Sequence, residues 1–409
     1  MLLQHTGMGI DRIKIGGLSL SLEQFLYAAN LWGFRLLAVG CSEIEKRAGF
    51  KEVWAGFSRQ IHALNAYYEI TGSYYQTHKG LQIFTVSFKR NGQQQQLARF
   101  QLFRTQANTC TAAYEIHPPY LYRGELRTFD YEIIAIMGEH FSYRSFAEHG
   151  KVSCIELYTD LLNIPPDSFL IHKPGARKSC MFQGNEAITI DPATVDYSNP
   201  DDADLIELIE QHNITKPTTI PRTPGHRLTQ YSCSRSSLFQ AKSYCSKTRL
   251  LDTKRPDLYG KAPYRTRIEL TLRKTGLSLE KLPTLGNQFE RIRIYSIAKM
   301  QGIKGSEWTW FTKAAKKDGI AIALARYSEH ARKTLRKQLE NCHVDWAESL
   351  VKIWSSYPKC LEVIQPQYML EMPTPQTTIQ VPNDPPVSIE VVEADLALFK
   401  AIAAMQEMA

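Results

Sequence analysis

The string TQYSCSRSSLFQAKSYCSK, residues 229–247, sets two tyrosines, Tyr231 and Tyr244, among Ser234, Arg235, Ser237, Lys242 and Lys247. A phenol with a free pKa of about 10 is protonated at neutral pH, so it attacks a phosphodiester only when a neighbouring cation or metal helps to remove its proton. The same cations stabilise charge growing on the phosphate oxygens. Two further segments supply carboxylates. In VSCIELYTDLL (152–162), Glu156, Tyr158 and Asp160 fall on one face of a strand, with Ile155, Leu157 and Thr159 on the other. In YRTRIELTLRK (264–274), Ile268, Leu270 and Leu272 form an apolar face, and Arg265, Arg267, Glu269, Thr271 and Arg273 a polar one. Glu156, Asp160 and Glu269 are the candidate ligands of a divalent ion, Mg²⁺ or Mn²⁺, that polarises a scissile phosphate. Carboxylates on a strand face also occur salt-bridged or solvated, and Tyr- and Lys-rich strands occur without catalysis.

The elements that position these residues read as α+β. Ser21 to Phe34 has helical apolar spacing, with Ser21 and Gln24 placed as a capping box. LQIFTVSF and QLARFQLF flank a polar stretch beginning Asn91-Gly92, which predicts a hairpin with a long tip. No βαβ rhythm and no glycine-rich phosphate loop is present, which argues against a nucleotide-hydrolysing motor. DYSNPDDADLIELIEQH is an acidic, partly helical excursion, and the proline-punctuated NITKPTTIPRTPGHR reads as a connection between strands. Beyond Lys274 the pattern is helical. On its longest predicted helix Leu324, Ala331, Leu335 and Leu339 share a face. Proline density over residues 371–388 predicts a linker, followed by a terminal amphipathic helix.

The chain has 409 residues, 43% of them hydrophobic and 22% charged, which excludes a disordered or fibrous protein. It lacks an apolar run of membrane-spanning length and a signal-like amino terminus, so a cytoplasmic location is expected. Its 8 cysteines show no Cys-x-x-Cys pair, which predicts free thiols. The net charge is +8. Between Tyr231 and Lys274 stand eleven basic residues against three acidic ones, so this one segment carries an excess equal to that of the whole chain. Such a stripe is the footprint of a polyanion partner, or else a solvated face.

Tyr231, Ser234, Arg235 and Ser237, then Lys242, Tyr244 and Lys247, stand at a spacing that resembles the replication-initiator superfamily of rolling-circle plasmids and filamentous phages. Those proteins share a Tyr-x-Gly-Ser-Arg-x-Ser strand and a basic residue two positions before a second tyrosine with a lysine just after it. A strand of Arg-hydrophobe-Glu type then follows, matched here by Arg267-Ile268-Glu269. CIELYTD resembles the family's Arg-Ile-Asp strand, with Glu156 in the carboxylate position, and Gly9–Ile15 resembles its opening strand more loosely. The likeness covers about residues 125–300. Three positions depart from it: Cys233 stands for the glycine, Lys242 for an arginine, and Lys247 lies three residues after the tyrosine, not two. The wider class binds metal through a His-hydrophobe-His motif that this chain lacks, leaving carboxylates, with His172 or His226 as a further ligand; HKPGARKS around His172 could alternatively form a phosphate-binding turn.

The resemblance implies an antiparallel-sheet nuclease domain of replication-initiator type over residues 1–274. A helical carboxyl-terminal domain over 275–365 would serve origin binding or contacts of a homodimer, ahead of a proline-rich linker and helix over 366–409. It implies a metal-dependent nicking and closing endonuclease for rolling-circle replication of a phage or plasmid. Tyr244 would attack one strand of origin DNA, leaving a 5′ phosphotyrosyl link and a 3′ hydroxyl for the host helicase and polymerase. Lys247 would activate it or bind phosphate, with Tyr231 in reserve. Arg235, Lys242, Arg265 and Arg267 would contact DNA. A tyrosine recombinase would need His-x-x-Arg shortly before a late tyrosine, and the nearest match, His330-Ala331-Arg332, has the wrong spacing. The serious rival is a sequence-specific DNA-binding initiator or regulator that does not cut.

Overall fold

The computed structural model describes residues 5–25, 68–76, 80–91, 96–121, 124–137, 139–162, 164–183, 187–190, 192–195, 213–221, 228–234, 237–245 and 265–370, with residues 197, 206, 209 and 210 between them. Strands β1 (His5–Leu20), β2 (Tyr68–Gln76), β3 (Gln82–Arg90), β4 (Gln96–Arg104) and β5 (Cys110–Ile116) lead to helices α1 (Glu125–Met137) and α2 (Tyr143–His149). Then follow β6 (Lys151–Leu162), β7 (Phe169–His172), β8 (Ser179–Gln183), β9 (Ala187–Ile190), β10 (Thr218–Pro221), β11 (Leu228–Ser232), β12 (Phe239–Cys245), β13 (Arg265–Arg273) and β14 (Arg293–Ser296). The carboxyl-terminal helices are α3 (Ile297–Gly302), α4 (Ser306–Asp318), α5 (Ile320–Ala325), α6 (Glu329–Glu340), α7 (Ala347–Ser355), α8 (Tyr357–Glu362) and α9 (Pro366–Leu370).

Ten strands form one sheet in the order β2-β3-β4-β5-β1-β6-β13-β12-β11-β8, with antiparallel neighbours throughout. The protein is therefore mixed α+β, a large antiparallel sheet followed by a helical carboxyl-terminal region. The predicted hairpin is β3 with β4. The capping box forms too: Ser21 Oγ accepts from Gln24 N at 3.0 Å and Gln24 Oε1 from Ser21 N at 2.8 Å, while the helix beyond Phe25 lies outside the described residues.

One sheet face is apolar. Ile10, Ile13 and Ile15 of β1, Ile155 and Leu157 of β6, and Ile268, Leu270 and Leu272 of β13 bury into a core closed by Leu126 and Phe129 of α1 and Phe146 of α2. Burying each such side chain contributes about 2 kcal/mol, so a one-residue slip that turned them outward would be very costly. Trp346, Leu350, Ile353, Tyr357 and Leu361 join the same core from the carboxyl-terminal end. Tyr143 Oη donates to the Ile364 carbonyl at 2.6 Å, and Tyr357 Oη to the Leu282 carbonyl at 2.9 Å.

A second cluster holds Ile83, Phe103 and Ala113 of the opposite face against Val195, Tyr197, Ile206 and Ile209, so the acidic excursion is pinned to the sheet by its apolar residues. A third surrounds the β7–β14 pair with residues of α3 to α6. The predicted long helix is broken here. Leu324 belongs to α5, whereas Leu335 and Leu339 belong to α6, whose first turn is capped by Ser328 Oγ accepting from Ala331 N at 3.3 Å. A serine that caps satisfies the orphan amide donors of a new start, so chain direction changes between the two apolar stretches. Of the segment 366–409 predicted as a linker and terminal helix, Pro366–Leu370 instead forms α9, whose Met369 is buried in the main core, and residues from 371 on lie outside the described residues. No helix among the described residues is long and apolar enough to cross a membrane.

Candidate functional site

The face opposite the main core carries charge where β12, β13, β6 and β1 lie side by side. Cross-strand register sets the rows: Tyr231 opposite Lys242, Lys242 opposite Glu269, Glu269 opposite Tyr158, and Tyr158 opposite Gly9. The next row runs Tyr244, Arg267, Asp160. Glu156 stands opposite Thr271, so it lies diagonally from Glu269 on the same face, within reach across two strands far apart in the chain.

Asp11 completes the group. Ile10 pairs with Leu157 and Arg12 with Glu156, so β1 holds one extra residue at Asp11. This bulge lets Ile10 and Ile13 both face the core while Asp11 and Arg12 both leave it. Carboxylate oxygens of Asp11, Glu156 and Glu269 then lie within 4.8 Å of one another. Asp11 and Glu269 are buried and Glu156 is half-buried. Three carboxylate oxygens at this separation have the donor chemistry to hold a hard divalent cation.

Each carboxylate also faces a cation of the chain. Lys242 Nζ is 2.6 Å from Glu269 Oε1, Arg12 Nη2 is 2.7 Å from Glu156 Oε1, and Arg267 Nη1 is 3.4 Å from Asp11 Oδ1. Burial alone would push the Glu156 carboxyl up, but Arg12, Lys242, Arg273 and His117 outweigh it and hold Glu156 well below the usual carboxylate range.

Tyr244 is almost fully buried, and its Oη donates to Glu269 Oε2 at 3.1 Å. Lys242 lies 5.4 Å above the Tyr244 ring. The nucleophile expected from the sequence, one expected ligand and one expected DNA contact thus meet at Glu269. Tyr231 sits half-buried beside Lys242.

Asp160 stands outside the trio. Arg267 grips it with Nε at 2.8 Å and Nη2 at 3.0 Å, while the Arg267 guanidinium stacks 3.7 Å from the Tyr158 ring centre. Burial works against the Arg267 charge, and Tyr244, Asp160 and Tyr158 outweigh it. Arg267 is thus engaged with Asp160 and Asp11 beneath the surface. Gly9 makes room for this stack, since a Cβ there would lie 2.5 Å from the Tyr158 ring. Lys247 and Arg235 lie outside the described residues, and Arg265 is described only as the first residue of β13. His172 is buried on β7 opposite Arg293, in a separate two-stranded sheet and not in the carboxylate group; His226 lies outside the described residues.

The sequence places a strand over Gly9–Ile15 but does not by itself show what Asp11 and Arg12 face. The available signal was the interruption of alternation in GIDRIKI, where two charged residues stand together between isoleucines. At Cys233, where the resembled motif carries glycine, φ is +76°, the left-handed region that glycine occupies without steric cost. Just beyond it Ser234 Oγ and Ser237 Oγ lie 2.8 Å apart in the same turn. Comparison of the sequence with protein-family models and with curated proteins finds no match.

Proposed function

We propose that this protein is a rolling-circle replication initiator with an antiparallel-sheet nuclease domain, which nicks and rejoins one strand of origin DNA through a phosphotyrosyl intermediate. The observation that carries the reading is the Tyr244 phenol hydrogen-bonded to Glu269, itself one of three clustered carboxylates. The left-handed backbone at Cys233 supports it independently, because that is the motif's glycine position.

Asp11, Glu156 and Glu269 would hold the divalent ion, which when bound supplies Lewis-acid polarisation of the scissile phosphate. Tyr244 Oη attacks phosphorus as its proton moves along the hydrogen bond to Glu269 Oε2, the bond to the 3′ oxygen breaks, and the proton passes on through water to that leaving oxygen, so that Glu269 is again ionised. Lys242, beside both Tyr244 and Glu269, stabilises the phenolate and a non-bridging oxygen. In closure the 3′ hydroxyl attacks the phosphotyrosine, the bond to Tyr244 Oη breaks, and the hydroxyl proton returns by the same route to the leaving phenolate. Arg235, Arg265 and Lys247 would contact DNA from the same basic stretch, and Tyr231, next to Lys242, is the second tyrosine available for strand transfer.

One observation favours the rival reading of a DNA-binding initiator that does not cut: each carboxylate of the trio is already matched by Lys242, Arg12 or Arg267. The deciding experiment incubates supercoiled DNA carrying the replicon's own origin with Mg²⁺ or Mn²⁺ and compares wild type with Tyr244→Phe and Tyr231→Phe. Relaxation and a covalent protein–DNA adduct, both lost in Tyr244→Phe, are expected. Binding without cutting by all three proteins selects the non-catalytic reading.

A further inference from the structure

Arg12 stands between two carboxylates on neighbouring strands. Its Nη2 is 2.7 Å from Glu156 Oε1, and its Nη1 is 3.6 Å from Glu115 Oε2 on the far side. Glu115 is almost completely buried. Its Oε1 takes Arg99 at 3.1 Å, His117 at 3.3 Å and Gln96 at 3.3 Å. Oε2 accepts no hydrogen bond among the described residues. Burial would raise the Glu115 carboxyl, but Arg99, Arg12 and His117 hold it well below its usual range. The protein therefore keeps a buried carboxylate oxygen whose nearest guanidinium nitrogen, Arg12 Nη1 at 3.6 Å, stands beyond hydrogen-bond length, an acceptor left without a hydrogen bond at some cost in free energy.

We infer that Arg12 is a positioning residue that moves between Glu156 and Glu115, closing on Glu115 Oε2 when a divalent cation takes Glu156. This rests on the cation reading of the Asp11–Glu156–Glu269 trio. A guanidinium and a divalent ion repel each other across one carboxylate, and the planar fork of Arg12 already reaches both acceptors, so a small rotation trades the 2.7 Å contact for the 3.6 Å one. Glu115 is then the counter-ion that receives Arg12, and Arg99, His117 and Gln96 keep it fixed in place.

The test is a double-mutant cycle read by Mn²⁺ affinity of the full-length protein, followed by electron paramagnetic resonance without DNA or turnover. Glu115→Gln keeps shape but removes the second acceptor, leaving Arg12 on Glu156. Mn²⁺ binding is expected to weaken about tenfold or more in the Arg12 background, and to change less than threefold when the same substitution is made in Arg12→Gln. Equal losses in both backgrounds mean that Glu115 acts only as a nearby charge, and overturn the inference. Should Glu115→Gln fail to fold, Glu115→Asp, which keeps charge but withdraws the oxygen, carries the same cycle. Absence of Mn²⁺ binding by wild type would overturn the cation reading and this inference together, whereas wild-type binding unaffected by Glu115→Gln overturns only the role of Arg12.

Discussion

Tyr244 and Glu269 come from adjacent strands in diagonal register, Tyr244 opposite Arg267 and Glu269 opposite Lys242, and the phenol donates to the buried carboxylate at 3.1 Å. A buried carboxylate held this way is costly to leave unpaired, and the pair links the basic β12 strand to the acidic group on β1 and β6. Tyr244→Phe is accordingly expected to abolish the covalent DNA adduct while lowering unfolding stability by only about 1–3 kcal/mol. Adduct formation on denaturing gels and chemical denaturation are read together. An adduct of wild-type yield in Tyr244→Phe would move the nucleophile to Tyr231.

The carboxylates should separate into two groups by their effects. Asp11→Asn and Glu269→Gln are expected to lower Mn²⁺ affinity by at least tenfold, since their oxygens lie in the trio. Asp160→Asn should leave Mn²⁺ affinity near wild type but lower stability by about 3 kcal/mol, because it strips a bidentate partner from the mostly buried Arg267. Calorimetric titration and denaturant melts measure the two effects. An equal loss of Mn²⁺ affinity in Asp160→Asn would place it among the ligands.

Cys233→Gly should stabilise the protein. A non-glycine residue at φ +76° carries about 1 kcal/mol of steric strain that glycine lacks. A rise in the denaturation midpoint with an unchanged m-value is expected, and a fall would mean that the thiol makes contacts worth more than the strain.

Stability should depend on pH through two buried groups of opposite sign. Burial pushes the Asp130 carboxyl up to about 7, against the backbone amide of Tyr143, which donates to it, and against Arg144. Its contribution is thus full below about 4 and is lost as pH rises through 7. Burial, with Arg336, Lys173 and Arg293, pushes His172 down to about 4, so its contribution is full above 6.5 and is lost as pH falls through 4. Between pH 4 and 6.5 the two slopes oppose each other. In Asp130→Asn, whose side-chain oxygen still accepts from Tyr143, stability should rise with pH over that window, by up to about 1.4 kcal/mol per pH unit. Denaturant melts at stepped pH measure it, and an unaltered profile would remove Asp130 as the source.

Gly9→Ala tests the backbone side of the site. The added methyl group would lie 2.5 Å from the Tyr158 ring, which must then leave its stack on Arg267. Loss of about 2 kcal/mol of stability is expected, in the range of overpacked interiors. In a Tyr158→Phe background the clash remains and Gly9→Ala should cost as much, whereas in a Tyr158→Ala background, itself destabilised by loss of the stack on Arg267, the added cost of Gly9→Ala should be small.

The sequence by itself determined whatever depends on short-range periodicity. Alternation in VSCIELYTDLL and RTRIELTLRK is enough to assign Ile155, Leu157, Ile268 and Leu270 to a core face and Glu156 and Glu269 to the other, because side chains of a strand must alternate. Ser21 with Gln24 announces its own capping box, and the β3–β4 hairpin is signalled locally. Tertiary structure alone decided which charged groups meet. Asp11 joins Glu156 and Glu269 because a one-residue bulge in β1 turns it off the core face, and Asp160 drops out because the register of β13 on β6 sets it against Arg267. The break between α5 and α6 depends likewise on whether Ser328 caps a new helix or continues an old one. Alternation belongs to each strand, whereas bulges and registers are chosen by summed burial along strands far apart in the chain, so no single segment carries the answer.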